Sequence, residues 1–395
     1  MIKNLWSNEE AKKFRDDLAL RVYTSRLLGQ DPTLVLHGGG NTSVKISESN
    51  IVGNQEEILY VKGSGWDLEF IETAGFSPVR MNHMLSLAKL DSLSDPQMVN
   101  ELKTQLTNAT SPTPSVETIL HAILPFKYVD HTHADAVVTI TNTLAGEDRI
   151  REIYGDRVVI IPYVMPGFDL AKDVARIFLE QSTDKTEGMI LMNHGIFSFG
   201  GNAKESYDRM ISLVNEAENY LVSNNAWDID KSETNFSVKK IRNQVAELRQ
   251  KISLIVGKPV LMSLTNSQLG LSFSNRKDVN EIATRGPLTP DHVIRTKRIP
   301  MIGRDVNKYN EEYASYFSKN EINAKARKTM LDSAPRVILD KDFGLCAVGK
   351  NMSEIVIISD IYEHTMESIL RAEKLGGFEA LPAKDIFDLE YWDLE

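Results

Sequence analysis

Residues 128–141 read YVDHTHADAVVTIT, and residues 188–201 read GMILMNHGIFSFGG. The first stretch is strand-like and rich in β-branched residues, and the second is largely apolar. The first is predicted to be strand along its whole length and the second to be a strand hairpin. Within the first, His131 and His133 stand two apart, so a strand turns both imidazoles to one face, where they can share a metal ion. Within the second, Asn193-His194-Gly195 closes a strand and offers a third imidazole from its end. The chain holds only eight histidines, and three histidines with an open fourth position are a catalytic zinc arrangement.

Upstream, PSVETILHAILPF (114–126) reads as a short helix with Ser115 near its start and Glu117 just inside it. A carboxylate there can ligate a resting metal and act as general acid/base once substrate displaces it. His121, four residues on, reads as a packed or hydrogen-bonded side chain rather than a ligand. Further upstream, LVLHGGGNTSVKI (34–46) reads as a strand broken by three glycines, and ILYVKGSG (58–65) as a second strand ending in a Gly-Ser-Gly loop. Glycine loops let backbone N–H groups close around an anion, and Asn41 and the neighbouring hydroxyls add donors. Neither loop fits G-x-x-x-x-G-K-[ST], and no G-x-G-x-x-G follows a strand, which disfavours ATP and dinucleotide sites.

The chain has 395 residues, 42% hydrophobic and 25% charged, which excludes a disordered or collagenous protein. At roughly 150 residues per domain it holds two or three domains. The net charge of −10 creates no basic field for nucleic acid or an anionic membrane, so an anionic substrate has to be held by a local device. A single cysteine, Cys346, excludes a disulfide framework and a Cys-rich zinc module. No run approaches the roughly 18 apolar residues of a membrane span. The polar N-terminus lacks a signal-peptide core and reads as one amphipathic helix over Ser7–Leu28, with Ser7 as N-cap and Glu10 closing a capping box. A cytoplasmic location is expected.

Residues 91–114 are expected to form a helix and loop, and further helices are expected near 170–181 and 203–222. SNNAWDIDKSETNFS (223–237) reads as a linker, dividing the chain into domains at 1–228 and 235–395. The second opens with a basic helix, VKKIRNQVAELRQKISLIVG (238–257). An internal echo spans the two halves: Gly195, Gly200, Asn202 and Glu205 fall on Gly344, Gly349, Asn351 and Glu354, each 149 residues on, while His194 falls on Phe343. This marks the second domain as a degenerate copy that has lost a metal ligand.

The order Gly40-Asn41-Thr42-Ser43, Gly63-Ser64-Gly65, Pro114-Ser115-Val116-Glu117, His131-Thr132-His133, Pro162-Tyr163, Asn193-His194-Gly195 resembles that of the class II aldolase/adducin family. That family includes fuculose- and rhamnulose-1-phosphate aldolases and ribulose-5-phosphate 4-epimerase. The likeness covers roughly residues 8–225. It implies a three-layer αβα domain with a mainly antiparallel sheet, followed here by a smaller C-terminal α/β domain. It implies Zn2+, or another divalent ion, on His131, His133 and His194, with Glu117 as a resting ligand and the catalytic acid/base. It places substrate phosphate on Gly40, Asn41, Ser64, Gly65 and Ser115. Tyr163 matches a tyrosine that reaches a neighbouring subunit's active site as a proton donor, which implies a homo-oligomer.

The implied reaction is cleavage of a ketose 1-phosphate, of rhamnulose or fuculose type, to dihydroxyacetone phosphate and an aldehyde. Epimerases and decarboxylases of the family use the same metal site. Adducin, a non-catalytic binding module, lacks the metal ligands that this chain retains. Two departures stand out: Ser115-Val116-Glu117 replaces the aldolases' Ser-Ser-Glu, removing one hydroxyl, and the interval from Glu117 to His131 is short. GPLTPDHVIRTKRIP (286–300) and FDLEYWDLE (387–395) resemble the aldolase portion of bifunctional rhamnulose-1-phosphate aldolase/short-chain dehydrogenase proteins. The chain closes before a dehydrogenase domain, so a separately encoded dehydrogenase is an expected partner. The basic cluster of His292, Arg295, Lys297 and Arg298 reads as a solvated surface strand.

Overall fold

The computed structural model describes residues 1–229, 241–265, 267–324 and 326–394. They fall into two compact units, Met1–Thr141 with Ala145–Leu221 and Asn142–Leu144 with Val222–Glu395. The second part of the expected linker, 230–237, and the first residues of the basic helix, 238–240, lie outside the described residues. No described helix is long and apolar enough to cross a membrane.

The first unit is a three-layer α/β arrangement on a seven-stranded sheet. Its strands are β1 (Asn41–Ser49), β2 (Gln55–Lys62), β3 (Phe76–Arg80), β4 (Tyr128–Thr132), β5 (Val158–Ile161), β6 (Gly188–Leu191) and β7 (Gly195–Gly200), in the order β3-β2-β1-β4-β7-β6-β5. Every neighbouring pair is antiparallel except β5 with β6. β4 and β7 lie side by side near the middle and are buried at every residue, so the polar side chains of β4, Asp130, His131 and Thr132, are enclosed in the protein. The helices that matter for the site are α1 (Asp17–Gly29), α2 (Thr118–Ile123), α3 (Asp135–Thr141), α4 (Phe168–Gln181) and α5 (Ala203–Ser223).

Five local expectations are corrected. The N-terminal helix is two pieces, Asn8–Ala11 and α1, because Asp16 caps a fresh start, its side chain accepting from Ala19 N at 2.7 Å. Ser7 does cap the first piece, but the Glu10 side chain binds Lys13 instead of closing a box. Residues 34–40 are not strand, since His37, Gly38 and Gly40 take φ of 34°, 77° and 62°. The stretch 128–141 is strand only to Thr132 and then becomes α3, whose seven residues are all buried. Burial on every side overrides the β-branched composition there. The basic cluster is helical over Pro290–Thr296 rather than a surface strand, and both His292 and Lys297 are buried.

The second unit carries α6 (Arg242–Val256) and a four-stranded sheet of β8 (Leu261–Thr265), β9 (Met301–Ile302), β10 (Val337–Asp340) and β11 (Gly344–Gly349), ordered β8-β11-β10-β9 and followed by α7 (Met352–Lys374). The echo seen in the sequence is also a structural one. Gly188↔Ser198 through Leu191↔Gly195 in the first hairpin become Val337↔Ala347 through Asp340↔Gly344 in the second, with the same register. Both following helices are capped alike: Asn202 Oδ1 accepts from Glu205 N at 3.0 Å and Glu205 from Gly201 N at 2.7 Å, as Asn351 does from Glu354 N at 2.9 Å and Glu354 from Lys350 N at 2.8 Å. Phe343, in the place of His194, is fully buried under the Arg304 guanidinium, 3.9 Å from its ring centre. Arg304 in turn holds Asp340 and Asp342.

A fully buried ion pair ties three elements of the first unit. Arg21 of α1 lies 2.5 Å from Asp130 of β4, and Ser206 of α5 donates to the other Asp130 oxygen at 2.5 Å. Removing one partner leaves an uncompensated buried charge. Arg21→Ala is therefore expected to cost about 3–5 kcal/mol in urea unfolding. A loss under about 1 kcal/mol, the size of an exposed pair, would show that water reaches Asp130.

Candidate metal centre and active site

The antiparallel register of β4 against β7 sets His131 opposite Phe197 and Thr132 opposite Ile196. The turn that precedes β7 therefore lies beside the end of β4. That turn is made by Asn193 at φ 58°, and it delivers His194. Gly195 has to be glycine, because a Cβ there would stand 2.4 Å from Thr132 O and 3.0 Å from His131 Cε1. The three imidazoles converge as a near-equilateral triangle, with ring centres 4.9, 5.1 and 5.0 Å apart. One ligand nitrogen from each lies within 4.8 Å of the others.

The donor set fits a divalent ion. His131 Nδ1 faces the Ile196 carbonyl at 3.1 Å, an oxygen that can only accept. Nδ1 therefore carries the proton and Nε2 keeps its lone pair. His131 Nε2 and His133 Nε2 are 3.1 Å apart. Two nitrogens on one tetrahedral zinc, with bonds of about 2.0–2.1 Å, stand about 3.3 Å apart. His131 also stacks on Phe197, with centres 4.1 Å apart, which fixes its ring plane.

Glu117 sits at the N-cap of α2, only 5% exposed. Its Oε2 lies 3.7 Å from His131 Nε2 and accepts from Asn41 Nδ2 at 2.6 Å, while Oε1 has no hydrogen-bond partner among the described residues. Asn41 Nδ2 is also 3.2 Å from Ser115 Oγ, which accepts from Glu117 N at 3.2 Å. The other end of the Asn41 amide is held by His121. Asn41 Oδ1 can only accept, so His121 donates from Nε2, and its Nδ1 accepts from Ser43 Oγ at 2.7 Å. Burial, with the positive fields of His131, Lys45 and Arg21, pushes the His121 pKa well below its ordinary value. The neutral ring is what this tautomer requires. His121 is thus hydrogen-bonded rather than a metal ligand, as expected, but its place behind Asn41 was not visible in the sequence.

The glycine loops meet around the same carboxylate. Lys62 Nζ donates to Gly38 O at 2.7 Å, joining one loop to the other. Lys62 is buried, which lowers its pKa to about 8 against the opposing pull of Asp67 and Glu117. Ser64 N donates to Thr113 O at 2.9 Å and Ser115 N to Lys62 O at 3.2 Å, so the amides of Ser64 and Ser115 are taken up within the fold. The Gly40 loop runs tight over β4, since a Cβ on Gly40 would sit 2.6 Å from His131 O. Asn41, Ser115, Glu117 and His131 are therefore joined by direct contacts, with Gly40 packed on His131 and Ser64 tied to the segment before Ser115. Tyr163 stands two residues beyond β5, half-buried, on the segment leading to α4. No motif of the sequence singles out Lys62. A lysine at a buried strand position before a glycine turn is the signal that could have singled it out.

The chain belongs to the class II aldolase/adducin family. Residues 19–221 match the class II aldolase and adducin N-terminal domain, and residues 236–395 match the second domain of class II aldolases. An uncharacterized oxidoreductase of Bacillus subtilis strain 168, YuxG, is 32% identical over 422 residues, an alignment that takes in all of this chain and 60% of that protein. The chain thus spans well under two thirds of that relative's length. The N-terminal class II aldolase domain of a conserved protein from Thermoplasma acidophilum is 45% identical, with a TM-score of 0.52, and covers 56% of this chain and 100% of its own.

His133→Ala removes one corner of the triangle without touching the Arg21–Asp130 pair. Metal analysis of the purified variant should find no tightly bound divalent ion, with the circular dichroism of the parent retained. Stoichiometric metal in that variant would show that the imidazoles are not the ligands.

Proposed function

We propose that this chain is a metal-dependent aldolase that cleaves a ketose 1-phosphate, of rhamnulose or fuculose type, to dihydroxyacetone phosphate and an aldehyde. The observation that carries this reading is Glu117, with one oxygen held by Asn41 and the other uncommitted beside three converging imidazoles. His131, His133 and His194 would hold zinc or another divalent ion, with Glu117 as its resting ligand. Such an ion supplies Lewis acidity at the ketone oxygen.

Glu117 Oε1 carries the proton to and from the carbon next to that ketone, while Asn41 keeps Oε2 in place. Tyr163, contributed by a neighbouring copy in a homo-oligomer, exchanges the proton of the aldehyde oxygen. Asn41, the Ser64 and Ser115 hydroxyls and the N–H groups of Gly40 and Gly65 receive the phosphate, with Lys62 supplying charge beside them. This local set is how a chain of net charge −10 holds an anion. The intact ligand set favours an enzyme over a non-catalytic module of the adducin kind. A cytoplasmic location and a separately encoded dehydrogenase partner complete the reading.

The test is release of dihydroxyacetone phosphate from rhamnulose and fuculose 1-phosphates by the metal-loaded protein, read in a coupled assay. Metal binding without release would move the assignment to an epimerase or decarboxylase on the same residues. Glu117→Gln should keep its metal and lose turnover by about 100-fold or more; an undiminished rate would remove Glu117 from the chemistry. Lys62 is charged below its pKa of about 8 and neutral above it. KM for the phosphorylated substrate should therefore rise as pH passes about 8, and Lys62→Met should show a high KM with no such rise. A wild-type KM that is flat through this range would place Lys62 away from the substrate.

A further inference from the structure

The second unit contains a cavity of about 590 Å³ whose lining includes six basic side chains. Three of them are spent within the wall: Arg336 lies 2.6 Å from Asp332, Lys328 lies 2.9 Å from Asp393, and Lys297 donates to Tyr313 at 2.9 Å, 3.5 Å from Glu390. Of the remaining carboxylates in the lining, Glu354 is committed to capping α7 through Lys350 N. The side chains of Arg295, Arg327 and Lys350 are different. They line the cavity and make no ion pair or hydrogen bond with any described residue. Three cations with no counter-charge among the described residues stand at one opening, in a chain of net charge −10, and make a local field for an anion. Two of them are guanidinium forks, which match phosphoryl oxygens.

Deeper in the wall is a group of the opposite kind. Glu390 is 8% exposed and lines the same cavity, and its Oε1 accepts from Tyr313 at 2.7 Å. Its Oε2 makes no well-aligned hydrogen bond among the described residues, although the Tyr316 hydroxyl, itself unsatisfied, stands close enough to interact with the carboxylate. A buried carboxylate oxygen without a well-aligned donor costs free energy until something supplies one. Lys297, beside it, is held at φ 64°, a backbone state rare outside glycine and concentrated at binding sites.

We propose that this cavity binds a small phosphorylated molecule bearing hydroxyl groups, its phosphoryl group on Arg295, Arg327 and Lys350 and a hydroxyl donated to Glu390 Oε2. The cations at the mouth select the charge and the carboxylate inside selects a donor, so neither inorganic phosphate nor a neutral polyol satisfies both ends. The inference is independent of the aldolase reading, because every residue it uses lies in the second unit.

Isothermal titration of the full chain with glycerol 3-phosphate and with inorganic phosphate tests it. Asn41→Ala/Ser64→Ala serves as the background, so that any phosphate held by the glycine loops is removed. In that background one glycerol 3-phosphate site should remain. Adding Arg295→Glu/Lys350→Glu should weaken it by at least about tenfold, with the thermal midpoint retained, since both side chains are exposed. Glycerol 3-phosphate should also bind tighter than inorganic phosphate. Binding unchanged by the charge reversals, or absent from the background at millimolar ligand, would overturn the site. Equal affinity for the two probes would overturn the role given to Glu390.

Discussion

The register between β4 and β7 is the constraint on which the centre depends. Side chains on a strand alternate between faces, so a slip of one residue would turn His131 and His133 away from His194 and toward the opposite layer. Several independent features hold that register in place. Asp130 and Arg21 form a pair with no exposure to water, and Ser206 completes it from α5. A slipped β4 would have to bury Asp130 without its cation. Gly195 lets the two strands close to a distance that any side chain would prevent. The stability of the strand pairing and the position of the ligands are therefore one problem, solved by residues that touch no metal.

The second hairpin shows what this scaffold does without the ligands. β10, β11 and α7 keep the register and the cap of β6, β7 and α5, yet Phe343 fills the position of His194 and Arg304 stacks over it. A hairpin of this shape thus needs no ion to form. The acidic residues around it have been taken up by the guanidinium, as Asp340 and Asp342 both pair with Arg304. The His194 imidazole of the first unit is thus carried by a hairpin that is stable through strand pairing and helix capping. The turns themselves differ, with positive φ at Asn193 in the first hairpin and at Gly344 in the second.

Much of this was legible because its signals are local. His-x-His on an apolar strand, the hairpin around Asn193-His194-Gly195 and the long helix after it are written in period and turn chemistry. The 149-residue echo was readable for the same reason, since capping and hairpin glycines occupy fixed offsets. What failed was set by tertiary burial. Val137, Val138, Thr139, Ile140 and Thr141 favour a strand by composition, but they are enclosed on all sides in a helix. Lys297 looked like a solvated cation and is instead buried against Tyr313. The partners of Lys62 and His121 come from segments distant in the chain, and no local pattern announces them.

The Asn41 amide shows why such remote partners matter to the chemistry. An amide can turn its oxygen or its nitrogen toward Glu117, and only the nitrogen stabilises a carboxylate. The choice is made on the far side, where a neutral His121 with its proton on Nε2 demands the oxygen. His121 can hold that tautomer because Ser43 offers a hydroxyl to Nδ1 and because burial disfavours its cation. Ser43 is on β1, the strand that pairs with β4, so the same sheet that places His131 also sets the orientation of Asn41. The carboxylate is thereby gripped at Oε2 and leaves Oε1 uncommitted. For the acid/base role proposed for Glu117, a carboxylate is best placed when one oxygen is fixed and the other is not, and here that fixation runs back through three side chains to the pairing of two strands.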